Sequence, residues 1–231
     1  MNQEQCLQEI HRLTATIQEY KNKYSSIFDQ LCAQAVRQEF STGGEGMHRG
    51  YYCPSPIADI VIGNNNRGRL LKRPSSRSRI SYVYFFNREN QIVAVEIPNR
   101  NAREVLLHED EKELGFEFSQ YGLKSVSECI YYAGRIQSYA LGMINSYANT
   151  VIEYTCEEYQ YSESGLETAA CVILTKMPSR EPICQHLEYH FRHQSDGYLS
   201  QYTVTEFDED SAKRDSIWSN HSFDVCIKRK I

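Results

Sequence analysis

The sequence predicts an α+β chain: one long N-terminal helix, then a large antiparallel β-meander of about eleven strands, strongly curled or folded into two layers. Three observations carry that prediction. Apolar residues recur at alternating spacings of three and four through the first segment, as one stripe of an α-helix requires. From Ser81 onward a single design repeats, an aromatic strand, a short turn, then a strand opening with Ile or Leu. The copies are Tyr82-Val83-Tyr84-Phe85-Phe86 before Ile92, Tyr131-Tyr132 before Ile136, Tyr159-Gln160-Tyr161 before Leu166, and Tyr189-His190-Phe191 before Leu199. Polar turn residues punctuate these runs at Asn87 to Asn90, Glu109 to Glu113, Ser164-Gly165 and Asp196-Gly197.

The helix is expected over residues 1–40. Its stripe is Ile10, Leu13, Ile17, Tyr20, Tyr24, Ile27 and Leu31, with Asn2 as N-cap and Gln5 where a capping-box partner belongs. The glycines of Ser41-Thr42-Gly43-Gly44-Glu45-Gly46 end it. Such a rod is roughly 50 Å long, so its stripe either packs along the meander or seats a partner helix. Residues 41–79 read as an irregular connector whose second half is basic, with Arg67, Arg69, Lys72, Arg73, Arg77 and Arg79. A basic run among Ser, Pro and Gly is ordinarily a solvated loop, and phosphate or nucleic-acid contact is the sharper alternative. Strands are expected at 80–86, 91–97, 103–108, 114–118, 126–132, 135–141, 150–161, 166–174, 185–193, 198–207 and 222–229. Together residues 80–231 form the meander, and helix and sheet make one folding unit. Asp208 to Asn220, holding Trp218, reads as a loop or short helix.

Composition narrows the function classes. The formal charge of -5 argues against a dedicated nucleic-acid binder and leaves an acidic surface suited to a basic protein partner. Eight cysteines are scattered without C-x-x-C spacing, and Cys129, Cys156, Cys171, Cys184 and Cys226 fall in expected strands. They read as reduced thiols in a cytoplasmic protein. The start lacks the basic and apolar regions of a signal peptide, and no segment reads as a membrane span.

Candidate chemistry fails on inspection. Gly63-Asn64-Asn65-Asn66-Arg67-Gly68-Arg69 has the glycine spacing of a phosphate loop, but Arg69 and Leu70 stand where Lys and Ser or Thr are needed. His186 and His190 share a strand face roughly 13 Å apart, too far to ligate one ion, and His193 points away. Gly-x-Ser-x-Gly is absent, and acid pairs such as Glu157-Glu158 and Asp208-Glu209-Asp210 are what a solvated sheet surface supplies. Neither a cofactor, a metal nor a catalytic residue is assigned. The candidate partner-binding residues are Glu153, Glu157, Tyr159 and Tyr161, which share one side of a regular strand and combine stiff aromatic area with carboxylates.

Several segments carry a family resemblance. They are Arg67-Gly68-Arg69-Leu70-Leu71-Lys72, Tyr84 to Ile92, Leu114-Gly115-Phe116-Glu117-Phe118, Val126 to Ile136, and Tyr189 to Tyr202. Over about two thirds of its length the chain resembles firmicute immunity proteins encoded beside polymorphic secreted toxins of the LXG or RHS kind. Its hairpins also look like the tyrosine-aspartate repeats of RHS shells. The resemblance implies a bacterial immunity protein that binds a cognate toxin domain in a stoichiometric protein-protein complex. The alternative is a scaffolding protein that self-associates through its helix, and an unrecognised enzyme is the third reading.

Overall fold

The structure, a computed structural model, describes residues 3–20, 22–61, 67–75, 78–148, 150–176, 181–207 and 221–224. Asn2, Gly63 to Asn66, Arg77, Asp208 to Asn220 with Trp218, and Cys226 lie outside them.

The expected single helix is two, α1 (Gln3–Tyr20) and α2 (Tyr24–Gln34). Between them Asn22 takes φ 66°, a left-handed conformation that asparagine tolerates and that no helix continues through. The break keeps both flanking tyrosines over the sheet, with Tyr20 at 4.9 Å from Phe116 and Tyr24 at 4.7 Å from Phe118, ring centre to ring centre. Ile10, Leu13 and Ile17 are buried, and Tyr20, Tyr24, Ile27 and Leu31 pack against the same core. The stripe therefore lies on its own sheet. The helix also stops short of Phe40. Ala35 turns extended, Val36 donates its N–H to the Phe86 carbonyl at 2.9 Å, and Arg37–Thr42 becomes strand β1.

The sheet is antiparallel and continuous. After β1 come β2 (Arg69–Leu70), β3 (Tyr82–Phe86), β4 (Ile92–Ile97), β5 (Ala102–Glu109), β6 (Lys112–Ser119) and β7 (Gly122–Tyr132). Then follow β8 (Arg135–Asn145), β9 (Thr150–Ser162), β10 (Gly165–Thr175), β11 (Ile183–His193), β12 (Leu199–Phe207) and β13 (His221–Asp224). The spatial order is β13 through β3 in sequence, then β1, then β2, and the two ends do not meet. The meander from β3 to β13 corresponds strand for strand to the eleven expected. Among the described residues the total is thirteen, because β1 and β2 come from segments read as helix and connector, so breaks at 40/41 and 79/80 do not divide the sheet. Nor does the described sheet split into two β layers.

Other elements supply the second layers. One face carries Phe85, Phe116, Phe118, Val126, Tyr154 and Leu174 under α1 and α2. The opposite face is crossed by a strap, residues 43–61, that includes the short helix α3 (Pro56–Val61). The sheet's tyrosines hold the strap down. Tyr82 donates its hydroxyl to the carbonyls of Gly44 and Met47, and Tyr84 donates to the Arg49 carbonyl at 2.8 Å while accepting from the Tyr51 N–H. Gly50, at φ 55°, lies so close to Tyr82 that a Cβ would sit 2.4 Å from its ring. Ser55 caps α3 by accepting the Ala58 N–H at 2.9 Å, with Pro56 opening the helix.

Candidate functional site

Antiparallel register aligns a polar row across the strap face. His108, Glu113, Cys129, Tyr139, Glu157, Cys171 and Leu187 are successive cross-strand partners from β5 to β11. Arg49 descends into this face from the strap and is 3% exposed. Its Nε donates to Glu104 Oε1 at 2.9 Å, its Nη1 to Glu113 Oε1, and its Nη2 to Ser127 Oγ at 2.9 Å. His48 sits beside it, with Nε2 3.1 Å from Glu104 Oε1 and Nδ1 2.9 Å from the Tyr139 hydroxyl. Gly115 makes the room: a Cβ there would lie 2.6 Å from Arg49 Nη2 and from Glu104 Oε1. Burial opposes the charge on Glu104, yet Arg49 and then His48 hold its carboxyl down to about 2. One cation thus ties the strap to three strands.

Next along the row the chemistry reverses. Glu157 has no cation beside it among the described residues. It accepts hydrogen bonds from Ser55 Oγ at 2.6 Å and from the Tyr159 hydroxyl, and burial pushes its carboxyl up to about 6 despite them. Beside the Arg49 cluster, between the strap and the β3–β4, β5–β6 and β7–β8 turns, opens a cleft of about 880 Å³. Arg37, Tyr52, Arg67, His108, Glu111 and Tyr131 line it. Its cations are already engaged, Arg37 with Glu39, Arg67 with Asp59 at 3.2 Å, and Lys112 with Glu128 at 2.6 Å.

The four candidate contact residues separate in the structure. Glu153, Glu157, Tyr159 and Tyr161 do share the strap face of β9, but Ser55 and α3 cover its middle. Glu157 is 5% and Tyr159 4% exposed, Tyr161 is half-buried with its hydroxyl donating to the Ile136 carbonyl, and Glu153 alone is exposed. The solvated face expected there is thus mostly interior, because alternation fixes which side a residue faces but not what lies on it.

The histidines do not converge either. His186 contacts Cys184, His190 is exposed beside Glu188 at 3.0 Å, and His193 Nε2 lies 2.7 Å from the Leu166 carbonyl. Among the described residues no group of three or more His, Cys, Asp or Glu is placed to hold a metal ion. Of the basic run, Arg67 is engaged in the strap, donating to the Tyr51 carbonyl at 2.8 Å, and Arg79 pairs with Glu45. Arg69, Lys72 and Arg73 are exposed. No helix among the described residues is long and apolar enough to cross a membrane.

Beyond α3 the strap face is open. The row Met143, Glu153, Thr175 and Ile183 runs across β8 to β11 as cross-strand partners, with Met143 40% and Ile183 53% exposed. At the same end of the sheet, the turns bearing Tyr121 and Tyr147 are joined by the Ser146 hydroxyl donating to the Leu123 carbonyl at 2.9 Å. Both tyrosines are exposed, at 81% and 101%. No protein-family model matches the chain, and no curated protein matches it significantly.

Proposed function

We propose that this chain is a stoichiometric binding protein, an immunity protein that neutralises a basic toxin domain by covering it, with its contact at the open end of the strap face. The observation that carries this reading is the row Met143, Glu153, Thr175 and Ile183, two of whose side chains are large, apolar and exposed on a rigid sheet. Tyr121 and Tyr147 flank it with stiff amphipathic area of the kind that anchors protein interfaces. Glu153 and the net charge of -5 favour a basic partner by steering and by excluding acidic ones. The likeness to immunity proteins encoded beside secreted toxins supplies the class of partner.

The test is co-expression with the toxin domain encoded beside the chain's gene. Met143→Asp combined with Ile183→Asp should abolish co-purification and protection of cells while leaving the melting temperature unchanged, since both side chains stand in solvent. If the unaltered chain neither protects nor co-purifies, the reading fails. Glu157→Lys cannot serve here, because it would place a charge beneath the strap.

A further inference from the structure

The strap is held to the sheet unevenly. Its first half, residues 43–53, is fastened by Tyr82 to the Gly44 and Met47 carbonyls, by Tyr84 to the Arg49 carbonyl, and by the Arg49 side chain to Glu104, Glu113 and Ser127. The second half is α3, six residues that bury the side chains of Ile57 and Ile60. A helix that short is not stable in water by itself, so its order comes from docking. The docking is incomplete. Between Val61 and the side chains of Leu187, Tyr189, Tyr202 and Val204 lies a cavity of about 440 Å³, and Val61 is 44% exposed. Where α3 begins, Ser55 Oγ accepts the Ala58 N–H and donates to Glu157 Oε2 at 2.6 Å. The residue that caps the helix thus rests on a buried carboxyl.

We propose that α3 is a displaceable cover, which ionisation of Glu157 releases from the sheet while the first half of the strap stays anchored. Under the docked helix Glu157 is 5% exposed, and a carboxylate there is out of water with no cation beside it among the described residues. Once α3 leaves, the same carboxylate meets solvent. The surrounding groups do not take the place of water. Tyr139 on β8 and Cys171 on β10 are the cross-strand partners of Glu157, Tyr159 is its neighbour on β9, Tyr189 stands beyond on β11, and Cys53 precedes Ser55 in the strap. Burial raises all five, so they stay neutral while Glu157 titrates. Asp59 pairs with Arg67 at 3.2 Å inside the strap, Arg49 and His48 are spent on Glu104, Glu206 stands three strands away in the same row, and Glu153 is in solvent. Burial, against the hydrogen bonds from Ser55 and Tyr159, sets the covered carboxyl at about 6, where an exposed one titrates at 4.5. The advantage of the docked state is therefore complete below 4.5 and lost as pH rises through 6, a shift of about thirtyfold in the docking equilibrium. Release uncovers Tyr139, Tyr159 and Tyr189, which cluster with Ile57 and Ile60, and extends the open surface of the strap face. The cover depends on these contacts and not on the proposed partner.

The experiment follows amide hydrogen exchange in the full chain from about pH 4.5 to about pH 7.5, each rate being divided by that of an unstructured amide at the same pH. The Ala58 N–H is bonded to Ser55 Oγ and the Asp59 N–H to the Ser55 carbonyl at 3.0 Å, so both exchange when the helix is released. Their opening constants, with those of Ile60 and Val61, should rise at least about tenfold and level off above about 6, while Gly50–Tyr52 and the β9 amides do not follow. Glu157→Gln should abolish the rise and keep α3 at its low-pH protection, whereas Asp59→Asn and His48→Gln should retain the rise. Protection of α3 that is independent of pH in the unaltered chain would overturn the proposal. So would a rise that survives Glu157→Gln, or one shared by β9, which reports unfolding of the sheet and not release of a cover.

Discussion

Arg49→Met is the most informative perturbation of the fold, because it deletes the cation that touches both Glu104 and Glu113 while keeping comparable bulk. Two acids, 1% and 6% exposed, are then left facing each other. Loss of one partner from a buried ion pair costs about 3 to 5 kcal/mol. The net lowering of Glu104 from 4.5 to about 2, left after burial has opposed the pull of Arg49 and His48, corresponds to about 3 kcal/mol, of the same order. Glu104 depends on that pull all the more because its Oε2 has no hydrogen-bond partner among the described residues. In the native chain the contribution of Glu104 is complete above pH 4.5 and lost as pH falls through about 2. In the variant, burial acts on Glu104 unopposed by Arg49 and raises its carboxyl. The variant's stability should therefore increase as the solution is acidified from neutrality, opposite to the native contribution. Denaturant unfolding at about pH 7.5 and about pH 5 reads both effects, a gap of about 3 kcal/mol that narrows at the lower pH. A gap below about 1 kcal/mol at the higher pH, or parallel pH dependences, would refute the assignment of Arg49 as the tie between strap and sheet.

Glu157→Gln should act in the other direction. The folded carboxyl stands at about 6 against an ordinary 4.5, so its favourable contribution is full below 4.5 and lost as pH rises through 6; the amide should stabilise the chain by about 2 kcal/mol above that window and not at all below it. Gly115→Ala brings a methyl within 2.6 Å of Arg49 Nη2 and Glu104 Oε1, and unfolding should show a loss of about 1 to 3 kcal/mol. Ile17→Asp puts a charge at a position 2% exposed, and the melting temperature should fall steeply, by the equivalent of about 3 to 5 kcal/mol. An unchanged melting temperature with loss of a dimer would favour self-association through the helix instead.

Much of the architecture was legible in the chain because period is a strong signal. The three-and-four spacing from Ile10 to Leu31 placed the helices, and aromatic alternation with turn residues placed β3 to β13. What escaped were local competitions. Asn22 interrupts a stripe whose periodicity runs through it, and the mostly polar Arg37 to Thr42 carries no alternation and follows a helix closely enough to be absorbed into it. The strap escaped almost wholly, since Met47 to Ser55 has no period and its order comes from tyrosine hydroxyls and from Arg49. A signal for that centre was nevertheless present. Glu104 stands between Ala102 and Leu106 on an inward-facing side, and Glu157 occupies the same phase as Tyr159, so a counter-charge or a bound proton was required somewhere. The four contact residues lie on one side of β9, as alternation requires, but nothing in their pattern shows that α3 covers half of that side.

The central claim, neutralisation by one-to-one covering, is tested most directly by titrating a fixed amount of the neighbouring toxin domain's activity with the purified chain. Residual activity should fall linearly and vanish at an equimolar ratio, with a single complex of one copy each in native mass spectrometry. Loss of activity at a small fraction of equimolar chain would mean catalytic inactivation, and full activity in excess chain would mean no interaction; either result contradicts the account.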